Sequence, residues 1–241
     1  MFEVAGFCCT LAGVDLTPDR FRALARSSRQ RWRTLRFTVT WRDSAADAAD
    51  AADPVGASHT SAVRAWLRRP DALRVEGIDG RVLQAGIDPD PDGDPMYQTY
   101  HWVAMLDPVE LADGVGEDTP RDPAVAPVWI SRLTEVTAHG RTAWQADLLP
   151  TAAYDPRCSC CPLLFSEVSE NWEAEAGGPV LRERDPGLRY ADAHRVRLDA
   201  ATGVCVYTEE LGGSHAGAGH EVVIHAVDEP MPDSLFTARR R

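Results

Sequence analysis

The chain has 241 residues, 44% of them hydrophobic, which is enough to bury one substantial core. Its 37 acidic residues outweigh 25 basic ones for a formal charge of −12, and every basic residue is arginine. That balance argues against a nucleic-acid partner, whose binding rests on a basic surface that neutralises phosphates, and no apolar run reaches the roughly 20 residues of a membrane span.

The first residues read MFEVAGFCCTLAG. Val4-Ala5-Gly6 before Cys8 has the flavour of a lipoprotein cleavage site, but Glu3 is the sole early charge and Phe7 stands where the cysteine belongs. The expectation is a cytoplasmic chain, exported only if the true start lies upstream. In a reducing cytosol its six cysteines are expected as thiols or metal ligands.

Thr17-Pro18 announces the first element, an N-cap followed by proline at the first helical position. Phe21, Leu24 and Ala25 recur at helical spacing, which predicts a helix over about 18–31. It runs into TLRFTVTWR, where Leu35, Phe37, Val39 and Trp41 alternate with polar residues as a half-buried strand does. Residues 44–58 are a low-complexity acidic loop. Thr60 to Arg68 alternates again, Pro70-Asp71 turns the chain into LRVE, and Asp79-Gly80 turns it into VLQAG, so three strands follow as hairpins.

Tyr97 to Val103 is aromatic and reads as β-prone. The next stretch, AMLDPVELADG, predicts a helix with Asp107 as N-cap, Pro108 first, Glu110 closing a capping box and Gly114 ending it. WISRLTEVTA and RTAWQADLL flank His139-Gly140 as a hairpin, a second hairpin turns at Asp199 to Gly203, and HEVVIHAV is a final strand. The tail DEPMPDSLFT has room for one helical turn. Eight to ten hairpin-linked strands and few helices predict an α+β fold: a curved antiparallel sheet, a half-open β-barrel, wrapped around a few helices.

The order of these elements, with the stretches Gly140 to Trp144, Arg197 to Val206 and Asp228 to Thr237, resembles the LolA/LolB-like lipoprotein-localisation-factor superfamily, which includes RseB. The resemblance covers about residues 18–237 and treats 1–241 as one LolA-like domain. It implies a half-barrel whose hydrophobic cavity holds an acyl chain or another apolar ligand in several members, and, by analogy with RseB, a regulatory interaction module as an alternative. The cysteine cluster is no part of the family's general pattern.

That cluster lies in YDPRCSCCPLL, which sets Cys158, Cys160 and Cys161 within four positions. Pro162 follows, and Leu164 or Phe165, Val168 and Trp172 recur at helical spacing, so Cys161 reads as the N-cap of a helix. The helix dipole and Arg157 would then favour thiolate. The alternatives are plain loop thiols, a soft-metal site for Zn or Cu(I), or a redox-responsive loop; a tetrahedral zinc site would need a fourth ligand from Cys8, Cys9, Cys205 or a histidine. Cys205 falls inside a strand and reads as a buried, inert thiol.

Three other motifs carry less. Asp88 to Pro95, DPDPDGDP, mimics the start of a calcium loop but has Thr99 where the bidentate glutamate belongs, so it is expected as an acidic loop. HEVVIH has one residue too many for a zinc-protease motif, and His220 and His225 on one strand would face opposite sides. GGSHAGAGH lies between strands and is no nucleophile elbow. Four of the seven tryptophans, Trp41, Trp66, Trp102 and Trp144, are the candidate cavity residues. The leading expectation is therefore non-enzymatic binding of an apolar small molecule or a protein partner, with no cofactor.

Overall fold

The computed structural model describes residues 15–43, 62–91, 93–112 and 125–237. The 44–58 loop, Cys8, Cys9 and the helix end expected at Gly114 lie outside them.

Helix α1 (Pro18–Arg26) starts where the cap residues place it: the Thr17 hydroxyl accepts the Arg20 amide at 3.3 Å. It ends sooner than its periodicity suggests. Ser27 turns its hydroxyl back to the Leu24 carbonyl, and Ser28–Gln30 tightens into a 3-10 turn whose Ser28 hydroxyl donates to the Leu106 carbonyl at 2.7 Å.

The strands follow as β1 (Thr34–Arg42), β2 (Val63–Arg68), β3 (Ala72–Gly77) and β4 (Val82–Ile87), then β5 (Val128–Ala138), β6 (Arg141–Pro150), β7 (Ala193–Asp199), β8 (Cys205–Leu211) and β9 (Gly219–Val227). The β5–β6 turn uses His139 and Gly140 at φ 49° and 76°, the left-handed pair that matches strand twist.

Tyr97 to Val103 is not a strand. Residues Tyr100–Leu106 form helix α2, and Trp102 through Leu106 are all buried. A short apolar run buried on every side has no polar face to reveal its period, so aromatic content misleads there. Among the described residues no helix starts at Asp107: it closes α2, its amide donating to the Val103 carbonyl at 2.8 Å, and a 3-10 turn, Val109–Leu111, follows Pro108. Glu110 caps nothing and points inward. Downstream, α3 (Glu167–Glu175) begins five residues after Pro162, with Ser166 as cap in a reciprocal pair with Ser169, so Cys161 is not its N-cap. A four-residue turn of helix, α4 (Leu181–Arg184), precedes β7.

The nine strands among the described residues belong to one antiparallel sheet in the order β4-β3-β2-β1-β9-β8-β7-β6-β5. Two meanders therefore meet where β1 pairs with β9, from Leu35 opposite Val227 to Arg42 opposite Gly219. The sheet curves without closing, because β4 and β5 are edges that do not pair with each other. Its inner face presents Leu35, Phe37 and Val39 of β1, Val63, Ala65 and Leu67 of β2, and Val196 and Leu198 of β7. Phe21 and Leu24 of α1 and Trp102, Met105 and Leu106 of α2 fill the space against them. The fold is α+β with a curved, half-open sheet around helices.

The tail straps the outer face. Asp228 accepts the amides of Arg33 and Thr34, Arg68 donates to the Met231 carbonyl and to Asp233, and Arg74 donates to the Leu235 carbonyl. Met231 and Phe236 thereby bury a small second cluster with Ala72 and Trp66.

Candidate functional site

The cysteine loop is built around one buried carboxylate. Glu110 is 1% exposed, and its Oε1 accepts from the Tyr154 hydroxyl at 2.6 Å and the Leu163 amide at 3.0 Å, while Oε2 accepts from the Arg157 amide at 2.9 Å. Both ends of the segment 157–163 are thus tied to one side chain. Burial pushes the Glu110 carboxyl above the usual range, opposed by its three donors. Tyr154, fully buried, also takes the Leu164 amide at 3.2 Å, and the Trp172 ring of α3 donates to the Tyr154 carbonyl at 2.9 Å. Within the loop the Ser159 hydroxyl donates to Glu173.

The three sulfurs held there all lie within 4.8 Å of one another, with Cys158 to Cys160 at 2.8 Å and Cys160 to Cys161 at 3.9 Å. Thiolate is not their favoured form. Cys161 is pushed up to about 12 by burial and then by the neighbouring Cys158, and Cys160 is raised first by its hydrogen bond with Cys158. The expected help is missing because no helix starts at Cys161 and the Arg157 guanidinium is spent on Asp107 at 3.1 Å. Cys205 is fully buried in β8, and burial raises its thiol too, as an inert core cysteine requires.

Behind the loop lies a histidine pair. His101 of α2 reaches the Pro162 carbonyl through Nδ1 at 3.1 Å and His220 Nδ1 through Nε2 at 2.9 Å; His220 in turn reaches the Cys205 carbonyl through Nε2 at 2.9 Å. Serving both carbonyls places hydrogens on His101 Nδ1 and His220 Nε2, so the two facing nitrogens are bare in the neutral pair. The Thr208 hydroxyl, 3.1 Å from His220 Nδ1, is the donor at hand. As expected, His220 and His225 face opposite ways, the first fully buried and the second exposed. Sequence spacing could not find this pair, since its members are 119 residues apart.

These buried rings set a pH dependence. His220 is pushed down to about 3 by burial and by His101, and His194 down to about 4 by burial. A histidine depressed on folding contributes stability that is fully present above its unfolded value near 6.5 and lost as pH falls through the folded value. Glu110, raised on folding, acts in the opposite sense, so a difference measurement isolates one ring. Denaturant unfolding of the protein and of His194→Gln, followed from pH 7.5 to 4.5, is expected to show their stability gap narrowing by roughly 2–3 kcal/mol. A constant gap would show that His194 is not held neutral.

Beside Cys161 opens a cavity of about 410 Å³, lined by Trp41, Tyr97, Thr99, His101 and Cys161, with Arg42 and Asp43 at its rim. The Trp41 ring lies 6.5 Å from Tyr97 and 6.4 Å from Trp102, which closes the wall from behind at 1% exposure. Of the four candidate tryptophans, Trp41 and Trp102 come together and Trp66 and Trp144 lie elsewhere. Trp41 lines the cavity and Trp102 backs it, Trp66 packs outside the sheet with Met231 and Phe236, and Trp144 is half-buried on β6 against the main core. Tyr97 and His101 were the missed residues of this wall; the aromatic run containing them was visible in the sequence, under the wrong secondary structure.

A second, more open cavity of about 540 Å³ runs along β4 and the Asp88 to Pro95 loop. Two of the carboxylates there serve the chain itself: Asp88 accepts the Asp90 amide, and Asp94 is paired with Arg69. This is the acidic loop the sequence implies.

No family model matches the chain, and no curated protein matches it. Among solved structures it is similar to MucB, at 15% identity and a TM-score of 0.35 over 91% of this chain and 62% of that one. It is also similar to MucB in a complex with MucA(peri), at 13% identity and a TM-score of 0.31 over 87% and 55%. The chain therefore spans about six tenths of the length of MucB.

Proposed function

We propose that the protein is a binding module, without a catalytic step of its own, that takes an apolar group of a small molecule or protein partner into the cavity at Trp41 and Tyr97. The observation that carries this reading is the cavity's construction: about 410 Å³ walled by two aromatic rings with a third behind them, within the range of small-ligand sites. Two polar residues, Gln98 and Thr99, line the same cavity and can orient a guest. The nearby nucleophile and base are poorly suited to chemistry. Cys161 is pushed up to about 12, and burial pushes the His101 ring down, which weakens it as a base.

An environment-sensitive apolar dye supplies the test. The protein is expected to enhance its emission saturably, with Trp41→Ala weakening binding about tenfold and Trp66→Ala, on the outer face, leaving it unchanged. A dye that never responds, or that responds equally to Trp41→Ala, would remove the cavity as the binding site.

A further inference from the structure

The thiol loop asks for a ligand different from the one in the aromatic cavity. Three sulfurs converge within 4.8 Å, and among the described residues no other histidine, cysteine, aspartate or glutamate joins the group. The ring nitrogens of His101, behind the loop, face Pro162 and His220 and do not join the sulfur group. A structural zinc site needs four protein ligands in a tetrahedron, so this set is one short.

Three sulfurs suffice for a softer ion. For Cu(I), bonds of about 2.3 Å splayed in a plane separate the sulfurs by about 4 Å, and the pyramid of As(III) draws them somewhat closer. Cys160 and Cys161 already stand at 3.9 Å, and Cys158 to Cys160 has to open by about 1 Å from 2.8 Å. Side-chain rotation provides that opening, because Cys160 is exposed and Cys158 only half-buried. The backbone need not move. It is pinned on both sides by Glu110 through the amides of Arg157 and Leu163, and Ser159 is pinned to Glu173. A loop whose donors are ordered before the ion arrives loses little entropy on binding.

We infer that Cys158, Cys160 and Cys161 form a three-coordinate, all-sulfur site for a thiophilic ion, monovalent copper or trivalent arsenic, rather than for zinc. With Cu(I), three copper–sulfur bonds form and three thiol protons leave to solvent. With arsenite, three arsenic–sulfur bonds replace three arsenic–oxygen bonds and three waters leave. Neither step changes an oxidation state.

The test uses the full chain, anaerobic and under a non-thiol reductant, titrated with Cu(I), arsenite or Zn(II) and read by native mass spectrometry and by ultraviolet sulfur-to-ion absorption. Expected is one Cu(I) or arsenite per chain, with the tighter of the two naming the natural ion class and Zn(II) weaker than either. Each of Cys158→Ser, Cys160→Ser and Cys161→Ser is expected to weaken binding at least about tenfold. Circular dichroism of the unloaded variants checks that they are folded, and Cys205→Ser, whose sulfur lies outside the group of three, is expected to bind as the parent does. Binding that survives any one of the three loop substitutions overturns the assignment, as does tighter binding of Zn(II) or binding of neither soft ion. A Cys158–Cys160 disulfide that persists under reductant would also overturn it, placing the loop in redox chemistry instead.

Discussion

Asp94→Asn is expected to destabilise the protein by about 3–5 kcal/mol, the cost of leaving a buried charge without its partner. Asp94 and Arg69 have side chains 3% and 5% exposed and form a two-point pair, Nε to Oδ1 at 2.8 Å and Nη2 to Oδ2 at 2.7 Å. The guanidinium also sits 3.5 Å over the Trp32 ring and donates to the carbonyls of Ser28, Arg29 and Leu106. One side chain after β2 thus holds together the turn after α1, the end of α2 and the loop before it. The asparagine amide keeps one acceptor but turns a donor toward the guanidinium. Urea unfolding reads the loss as a lower midpoint at unchanged slope. Arg69→Met combined with Asp94→Leu is expected to cost less than the two single changes added together, since the charge removed is then balanced. A loss under 1 kcal/mol in Asp94→Asn would show that the pair is hydrated and not structural.

Glu110→Gln is expected to cost about 2–4 kcal/mol and to loosen the cysteine loop. Glutamine has nearly the same shape, but its NH2 replaces an oxygen that now accepts either the Arg157 amide or the Tyr154 hydroxyl and Leu163 amide. A buried donor then faces a donor on one side of the loop. The local signature is faster alkylation of Cys161 in the native state, because that half-buried thiol is shielded by the segment the carboxylate anchors. Alkylation at the parent rate in a destabilised variant would mean that Glu110 supports the core and not the loop.

Both predictions concern residues whose roles the sequence concealed. Asp94 sat in a stretch read as an acidic loop, and Glu110 in a helix-start pattern read as a capping box. Each carries a local signal valid in isolation, yet tertiary burial redirected it: a carboxylate that satisfies several buried donors outweighs one that caps a helix turn at the surface. The same competition moved the cap of α3 from Cys161 to Ser166, where a serine pair satisfies the first amides better than a thiol can. Three clustered cysteines were legible at once; that their sulfurs converge, with no fourth ligand among the described residues, was not.

What the sequence by itself determined is the sheet. Alternation with period two in TLRFTVTWR and its successors, with His139-Gly140 and Asp79-Gly80 at the turns, fixes strands, faces and hairpins through contacts between near neighbours. What only the tertiary structure decided involves partners far apart in the chain: the β1–β9 seam joining residues 35 and 227, the His101–His220 pair and the Glu110 anchor. Local stereochemistry is written residue by residue, whereas a buried polar group is settled by whichever donors the closed fold brings within about 3 Å.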